Sequence, residues 1–438
     1  MKEFYRCAFF TSLADALVRP FLSIFAFYLG ASKSIVGAIS SITSALNILS
    51  QFFWSFVVEG SRKRKLFVVL GGILWSLLWI PIGFSKTWQE FLILLSIQSI
   101  FSGMITPAWT YLVFSLIPKY RRGRITARIN TSTSLGGILG NIIAGIILKL
   151  FGLVPFLFFL SFLFGFIGRL MFLPIKEPKY SPKPIKKNIK EFFDYVGLIK
   201  NKKFLNFLIA TSLLNFGVNI AGPFFSLYIV EKLGSSLDVA LLAGVATISN
   251  ILFFNAWGKL VDYLGRKVVM VSCLIPISFL PFVYSISNHI FWIYLYSFFN
   301  SLSWAGFNVA SFVYLSEVLP KQRKPIFISL YYLLSSTSLI APLIGGRIID
   351  YFGFKAAFLT SFSLRILSII FFERVEEKTG MRIKNLLPSS IDPLGISYRL
   401  ETFFSTYSLV FQEARKESMK LFNISRISRK LKYAFEKS

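Results

Sequence analysis

Polar and apolar positions along this chain separate into long apolar runs joined by short charged connections. The first run extends from Phe4 to Gly30. It is longer than a signal-peptide core and lacks a small-residue cleavage site, so it is expected to stay as a span. At about 20 residues per crossing, eleven more runs follow, near 35–58, 66–84, 88–117, 125–149, 154–174, 204–230, 238–260, 268–286, 290–318, 326–349 and 354–372. In hydrocarbon a lone segment satisfies its backbone only as a helix. The pattern therefore predicts an all-α integral membrane protein with twelve transmembrane helices.

The connections alternate in charge. One set carries Arg62, Lys63, Arg64 and Lys65, then Lys119, Arg121, Arg122 and Arg124, then Arg266 and Lys267, then Lys321, Arg323 and Lys324. The other set is short and holds few cations, such as Lys33, Lys86 and Lys232. Cytoplasmic loops carry the excess of Lys and Arg. The first set is thus expected on the cytoplasmic side of the cell membrane, and an even span count puts both termini there. Trp88 and Trp292 begin spans on the outer side, where interfacial aromatics belong. Composition agrees: the 438 residues are 55% hydrophobic and include 50 Phe, and mean hydropathy is +0.64. No soluble domain of this size needs so much apolar surface. The net charge of +28 does not imply nucleic acid, because the cations lie between the runs and in the tail. There they set topology and meet the anionic inner leaflet. Cys7 and Cys273 fall near the cytoplasmic ends of spans and do not read as a disulfide framework. The single His289 sits in an outer loop, and no His/Cys cluster suggests a metal.

Between 175 and 203 the composition changes. K-E-P-K-Y-S-P-K-P-I-K-K-N-I-K is basic and broken by Pro178, Pro182 and Pro184. It reads as a cytoplasmic linker, with a short surface helix expected from Ile189 to Ile199. The linker separates a six-helix bundle over 1–174 from a second over 204–372. The bundles are related. Thr11-Ser12-Leu13 recurs as Thr211-Ser212-Leu213, and Pro20-Phe21-Leu22-Ser23 as Pro223-Phe224-Phe225-Ser226. Trp54 precedes Glu59 as Trp257 precedes Asp262, Pro118-Lys119 recurs as Pro320-Lys321, and Arg169 precedes Glu177 as Arg365 precedes Glu373. All are offset by roughly 200 residues, the mark of a duplicated unit. The basic tail over 373–438 is too polar to span. From Arg399 onward, Phe403, Tyr407, Val410, Ala414, Leu421, Ile424 and Leu431 recur at mostly helical spacing. This predicts an amphipathic helix on the inner leaflet.

One connection carries a motif. Gly258 to Lys267 reads G-K-L-V-D-Y-L-G-R-K. An ionised side chain in hydrocarbon costs about 3 kcal/mol or more, so this is a tight turn at a membrane face. Gly258 is expected to let helices approach closely, and Gly265 to take a conformation other residues resist. Asp262 is placed to pair with Arg266, Lys267 or a cation on a neighbouring helix. These ten residues resemble the G-x-L-x-D-x-x-G-R-K loop of the major facilitator superfamily of secondary transporters. That loop joins the second and third helices of each six-helix half on the cytoplasmic side. The resemblance covers about Phe4 to Phe372. It implies two pseudo-symmetric bundles around a central cavity and makes Gly258, Asp262, Gly265, Arg266 and Lys267 a candidate gate. The first half departs from the motif: Ser55 replaces the leading Gly, Glu59 replaces Asp, and Arg62 stands at the second Gly. Glu59 is the gate candidate there. Patterns of the superfamily's drug–proton antiporters are also altered. Span four, around Ser96-Ile97-Gln98, has no Arg. Span five reads G-G-I-L-G-N from Gly136, with Asn141 where antiporters carry Pro, and a closer form, A-P-L-I-G-G from Ala341, lies in span eleven.

Polar residues inside the spans carry the chemistry. Asp15 and Arg19 lie four apart on one face of span one. Asp15 is about 16 Å in from Phe4, near mid-membrane. A carboxylate there pairs with a cation, lines a wet cavity or carries a proton; a coupling site and a structural pair are both open readings. Asn215 and Asn219 occupy the related positions of span seven, where plain interhelical hydrogen bonding competes with a cavity role. Pro20 and Gly222-Pro223 predict bends. Gln98, Asn300, Trp304 and Asn308 are further cavity candidates. Arg169 and Arg365 are expected to snorkel to the headgroups. No P-loop and no nucleophile–base motif is present, so ATP drive, cofactors and enzymatic chemistry are not expected. The reading is a secondary active transporter that moves a small solute by alternating access. Proton-coupled efflux of an amphiphilic compound through Asp15 is favoured, by a monomer whose other partners are a proton or other ion and membrane lipid. The alternatives are an uptake permease for a sugar, nucleoside or organic acid, and a non-transporting membrane sensor or lipid-handling protein on the same fold.

Overall fold

A computed structural model describes residues 2–117, 122–151, 155–177, 201–319, 331–337, 339–376 and 396–421. Regular structure among them is all helical, and nine helices are long and apolar enough to cross a membrane. Span one is Lys2–Val18, a 3₁₀ turn Arg19–Phe21, and Leu22–Tyr28. Spans two to six are Lys33–Gly60, Arg64–Leu77 with Trp79–Gly83, Trp88–Leu116, Arg122–Phe151 and Pro155–Leu170. Span seven is Lys202–Ala221 with Phe224–Tyr228, and spans eight to ten are Ser236–Leu264, Arg266–Ile286 and Ile290–Val318. Helix Ala341–Glu373 holds the later part of span eleven and all of span twelve, turned between them at Gly353, where φ is 80°. A tail helix covers Ile396–Leu421. The helix expected over 189–199, the first residues of span eleven, the loop cations Lys119, Arg121, Lys321, Arg323 and Lys324, and the tail positions Ile424 and Leu431 lie outside the described residues.

Local chemistry sets the helix ends. Ser32 caps span two by accepting from the Ile35 amide, and Thr87 caps span four by accepting from the Glu90 amide. Ser235 and Asp238 form a capping box at the start of span eight. His289 caps span ten, its Nδ1 accepting from the Phe291 amide at 3.2 Å. The expected bends appear at Arg19-Pro20-Phe21 and at Gly222-Pro223, where spans one and seven each break. Gly265 has φ 97°, and this left-handed residue lets span nine start directly after span eight.

The two halves repeat each other's bonds. Ser161 Oγ of span six donates to the Ala14 carbonyl of span one at 2.8 Å. Ser361 Oγ of span twelve donates to the Gly217 carbonyl of span seven at 2.6 Å. Close backbone contact is repeated too. A Cβ on Gly136 of span five would overlap the Phe9 carbonyl of span one, and one on Gly345 of span eleven would overlap the Ile220 carbonyl of span seven. Small residues bring membrane helices into contact where no hydrophobic drive separates helix from lipid.

Two expectations are corrected. Arg169 and Arg365 do not snorkel: they are 7% and 1% exposed. Arg169 points Nη1 at Cys7 Sγ, 3.7 Å away, and lies across Gly72, which has no side chain to obstruct it. Arg365 Nη1 donates to the Ile277 carbonyl at 2.8 Å. Each arginine thus ties the last span of its half to the first and third. Gly258 packs on no helix either: a Cβ there would meet nothing within 4 Å, because it faces a cavity.

The tail helix forms as expected, but its apolar face lies on protein. Val410 is fully buried. Phe411 meets Phe253 edge-on at 5.4 Å, and Tyr407 meets Trp257 edge-on at 5.8 Å. Tyr407 also shares a hydrogen bond with Ser303 of span ten. A buried tyrosine hydroxyl needs such a partner, and lipid chains offer none.

Contacts between the halves gather at the end away from the basic connections. Lys33 pairs with Glu231 at 3.2 Å. Asp350 accepts from the Ser34 amide at 2.9 Å and from the Ser34 hydroxyl. A Cβ on Gly37 would overlap the Pro342 carbonyl, and one on Gly346 the Lys33 carbonyl. Gly145 and Gly137 of span five face Ala240 and Thr247 of span eight. The glycine packing is testable. Overfilling a tight contact costs about 1–3 kcal/mol. Gly136→Ala is therefore expected to lower the melting temperature of the detergent-purified protein by several degrees. Gly244→Ala, where a Cβ meets nothing within 4 Å, is expected to leave it unchanged.

Candidate functional site

A cavity of about 620 Å³ lies in the second half between spans seven, eight, ten and eleven. Its polar wall includes Asn215, Asn255, Lys259, Asp262, Asn308 and Ser335, and its aromatic wall includes Phe254, Trp304, Phe307, Tyr331 and Tyr332. Helical geometry explains the grouping. Asn255, Gly258 and Asp262 are spaced by three and four and so share one face of span eight. Trp304, Asn308 and Ser311 do the same on span ten.

Of the candidates named from sequence, Asn215, Trp304, Asn308, Gly258 and Asp262 come together here. Asn215 Nδ2 also donates to the Ser335 carbonyl at 3.2 Å, which ties span seven to span eleven at the cavity wall. Asn219 stays behind, its Nδ2 donating to the Asn215 carbonyl at 2.8 Å. Gln98 and Asn300 line neither cavity. Gln98 Nε2 donates to the Trp75 carbonyl at 3.2 Å inside the first half. Asn300 is buried in span ten, and its Oδ1 has no hydrogen-bond partner among the described residues.

Asp15 and Arg19 form the ion pair that their spacing suggests, Arg19 Nε lying 2.7 Å from Asp15 Oδ2. Arg19 opens onto a second cavity of about 300 Å³, between the halves. Pro20, Ser23, Pro223, Ser226 and Tyr284 also line it. Both bends therefore border this cavity, one from each half.

The charged turn is held mostly within the second half. Arg266 Nη2 lies 2.7 Å from Glu317 and 4.0 Å from Asp262. Lys267 Nζ donates to the Glu373 carbonyl. Asp262 is 78% exposed, so water occupies most of its hydrogen-bonding capacity. The first half has a different lock at the same place. Glu177 accepts from the Arg64 amide at 2.7 Å and from the Lys65 amide at 3.3 Å, and the Arg64 guanidinium stacks on the Tyr111 ring at 3.4 Å. The side chain of Glu59 lies outside the described residues.

Sequence reasoning missed Lys259, Asn255, Tyr331 and Ser335 as wall residues. Asn255 was within reach, being a polar position one turn before Gly258 in an apolar run. Lys259 reads as an ordinary loop cation until the tail helix is seen. Its Nζ donates to Glu413 Oε1 at 2.6 Å, and this bond holds the Glu413 carboxyl below its usual range.

These placements separate wall from scaffold. Losing the buried Gln98 bond costs about 1 kcal/mol, so Gln98→Leu is expected to lower thermal stability and leave binding of a fluorescent amphiphile unchanged. Trp304→Ala is expected to weaken that binding, about 1 kcal/mol being typical of one lost aromatic contact. Equilibrium fluorescence titration of the purified variants measures both.

Comparison with known proteins gives a consistent result. The family description Major Facilitator Superfamily matches residues 5–252 and again 207–411. The chain is similar to a multidrug resistance protein MdtG of Citrobacter koseri, 24% identical over 277 residues, covering 61% of this chain and 67% of the relative. It is also similar to one of Salmonella typhi, 25% identical over 295 residues, with 62% and 70% covered. In fold it is similar to a mutant of the nucleoside transporter NupG, with TM-score 0.71, 13% identity, and 86% and 100% of the two chains covered. A peptide transporter POT bound to sulfate gives TM-score 0.71, 13% identity and coverage of 85% and 92%.

Proposed function

The chain belongs to the major facilitator superfamily, and from that premise we propose that it exports an amphiphilic small molecule in exchange for protons. It is a multi-pass membrane protein and a secondary transporter, with no part for enzymatic turnover. The proposal concerns what is carried, in which direction and by what drive. One observation carries the reading. The halves touch at the cation-poor end, while the basic end opens into the aromatic and amide-lined cavity. With the basic end cytoplasmic, this is the inward-open state of an alternating-access cycle. Export is favoured because the relatives are described as multidrug resistance proteins. The protein is read as a monomer of the cell membrane with both termini cytoplasmic, its basic tail and linker against anionic lipid.

In the proposed cycle the amphiphile enters from the inner side and rests against Trp304, Tyr331 and Tyr332. Asn215 and Asn308 offer hydrogen bonds to its polar end. Gly37 and Gly346 then release, the outer side opens, and Asp262 closes the inner side. Asp15 takes the proton. It is paired with Arg19, which opens onto the second cavity.

Two measurements test this. In inside-out vesicles, Asp262→Asn is expected to raise labelling of Asn308→Cys by an impermeant maleimide at least twofold, while Lys86→Cys labels only in right-side-out vesicles. The opposite sidedness defeats the orientation, and unchanged labelling defeats the gate. In proteoliposomes with an imposed pH gradient, Asp15→Asn is expected to abolish uphill movement of the amphiphile but leave downhill exchange. Adding Arg19→Gln restores any lost stability but not accumulation, because it removes only the uncompensated cation. Full pH-driven accumulation in the double variant rules out Asp15 as the carrier and leaves the pair structural. Binding of a sugar or nucleoside in place of the amphiphile moves the assignment to uptake. Binding without flux moves it to a sensor.

A further inference from the structure

The smaller cavity holds no solute in the cycle above, yet its wall has the chemistry of a binding site. Its volume of about 300 Å³ is at the lower end for ligand pockets, which suits a small occupant. Of the described residues that line it, Arg19 alone carries charge. The Arg19 side chain is 70% exposed, and Asp15 engages its Nε at 2.7 Å. Neither Nη group has a partner among the described residues. A guanidinium presents these donors as a planar fork that matches a carboxylate.

Three hydroxyls on the same wall are unused. Ser23 and Ser226 line the cavity, and neither Oγ makes a hydrogen bond among the described residues. Tyr284 also lines it and is 4% exposed, and its hydroxyl lacks a partner there too. A tyrosine so buried usually has one. The duplication explains the arrangement. Pro20-Phe21-Leu22-Ser23 of span one recurs as Pro223-Phe224-Phe225-Ser226 of span seven, so Ser23 and Ser226 are matched positions brought to one space from the two halves. By the same match Arg19 corresponds to Gly222. A Cβ on Gly222 would meet only its own helix, the Val218 carbonyl at 3.2 Å being nearest. Span seven therefore brings no second cation to the cavity, and the space suits one anion rather than two. Much of the remaining wall is apolar, with Phe225, Ile229 and Leu242 from the second half. An inorganic ion leaves that surface uncovered, whereas an apolar body covers it.

We propose that this cavity binds a small organic carboxylate, the Arg19 Nη groups taking the carboxylate and Ser23, Ser226 and Tyr284 offering it hydroxyls. Asp15 stays on Nε and holds the guanidinium in place, while its own charge opposes that of the ligand. Affinity is therefore expected to be modest. The site is separate from the large cavity and goes beyond the export reading, since it depends on neither the direction nor the drive of transport.

Benzoate is the probe, and binding of radiolabelled benzoate to the detergent-purified protein is the measurement. The parent is expected to bind it saturably. Benzamide, of the same shape without the charge, is expected to compete about tenfold more weakly, as the loss of a charge-assisted hydrogen bond implies. Arg19→Gln is expected to weaken benzoate by about tenfold or more on the same ground. Ser226→Leu fills the cavity without touching the Asp15–Arg19 pair and is expected to abolish binding. Asp15→Asn keeps an oxygen for Nε, removes the opposing charge and is expected to tighten binding. Trp304→Ala, in the large cavity, is expected to leave it unchanged. A parent without saturable binding overturns the proposal. Equal competition by benzamide, or displacement by equimolar chloride, overturns the ligand class and the proposal with it. Undiminished binding in folded Ser226→Leu, or loss in Trp304→Ala, puts benzoate elsewhere and overturns the site. Should Arg19→Gln fail to fold, Asp15→Asn still decides the part of Arg19: unchanged or weaker binding there overturns it. No outcome bears on export, because benzoate binding stands or falls whether or not the amphiphile moves.

Discussion

The structure depends on a backbone-to-backbone contact between spans two and eleven. Gly37 lies against the Pro342 carbonyl and Gly346 against the Lys33 carbonyl, so neither position has room for a side chain. Lipid chains are as apolar as the helix surfaces, so burial of hydrocarbon does not choose this contact. Close fit and a few polar bonds do. Asp350 with Ser34, and Lys33 with Glu231, add direction to a surface that is otherwise flat. Such an interface is modest in energy, and that suits a joint that must open. Its position at one end of the molecule decides where space is left, and the large cavity at the other end is the geometric consequence.

A rocking joint needs stiff halves on either side. Buried arginines supply part of that stiffness. Arg169 and Arg365 each cross from the last span of a half toward its first and third spans, without a carboxylate partner among the described residues. A guanidinium in such a place makes removal of its carbonyl or thiol partner costly. Each half thus resists internal shear, and motion is directed to the interface. Ser161 and Ser361 add the same bond in each half. The Ser161 and Ser361 bonds and the close glycine contacts of spans five and eleven trace the duplication more directly than the sequence matches do.

Much of this was legible beforehand, for definable reasons. Span positions follow from the requirement that backbone groups be satisfied in lipid, which leaves a strong apolar signature. The bends at Pro20 and Gly222-Pro223, the left-handed Gly265 and the Asp15–Arg19 pair are local, set by residues within one turn of each other. Cavity residues on span ten were recoverable because Trp304 and Asn308 are polar-edged positions one turn apart. What failed was non-local. Gly258 reads as a packing glycine, but whether a glycine faces a helix or a void depends on which state the halves adopt. Gln98 looks like Asn308 in sequence, yet its partner is the Trp75 carbonyl of the same half. Arg169 and Arg365 sit close enough to the basic end to snorkel, and only Gly72 and Gly217, small residues on other spans, make room for them inside. The tail's apolar spacing was visible, but spacing alone does not distinguish a lipid surface from a crevice lined by Trp257 and Ser303.

The two candidate sites fall on different parts of the molecule. The aromatic and amide cavity belongs to the second half, while Asp15 and Arg19 belong to the first, and of that pair Arg19 borders the smaller cavity between the halves. A solute in the large cavity makes no direct contact with the Asp15 carboxylate. In the proposed cycle the two are therefore linked through the interface and not through a shared bond. Whatever shifts the contact at Gly37 and Gly346 also changes the surroundings of Arg19, because span one bends at the residue that opens onto that interface. Coupling of this kind constrains the solute little. In that cycle the cavity needs only to distinguish filled from empty, and its aromatic wall is proposed to do so chiefly by area, with Asn215 and Asn308 adding adaptable hydrogen bonds. Broad selectivity and tight coupling are then compatible, because one resides in the wall of the second half and the other in the joint.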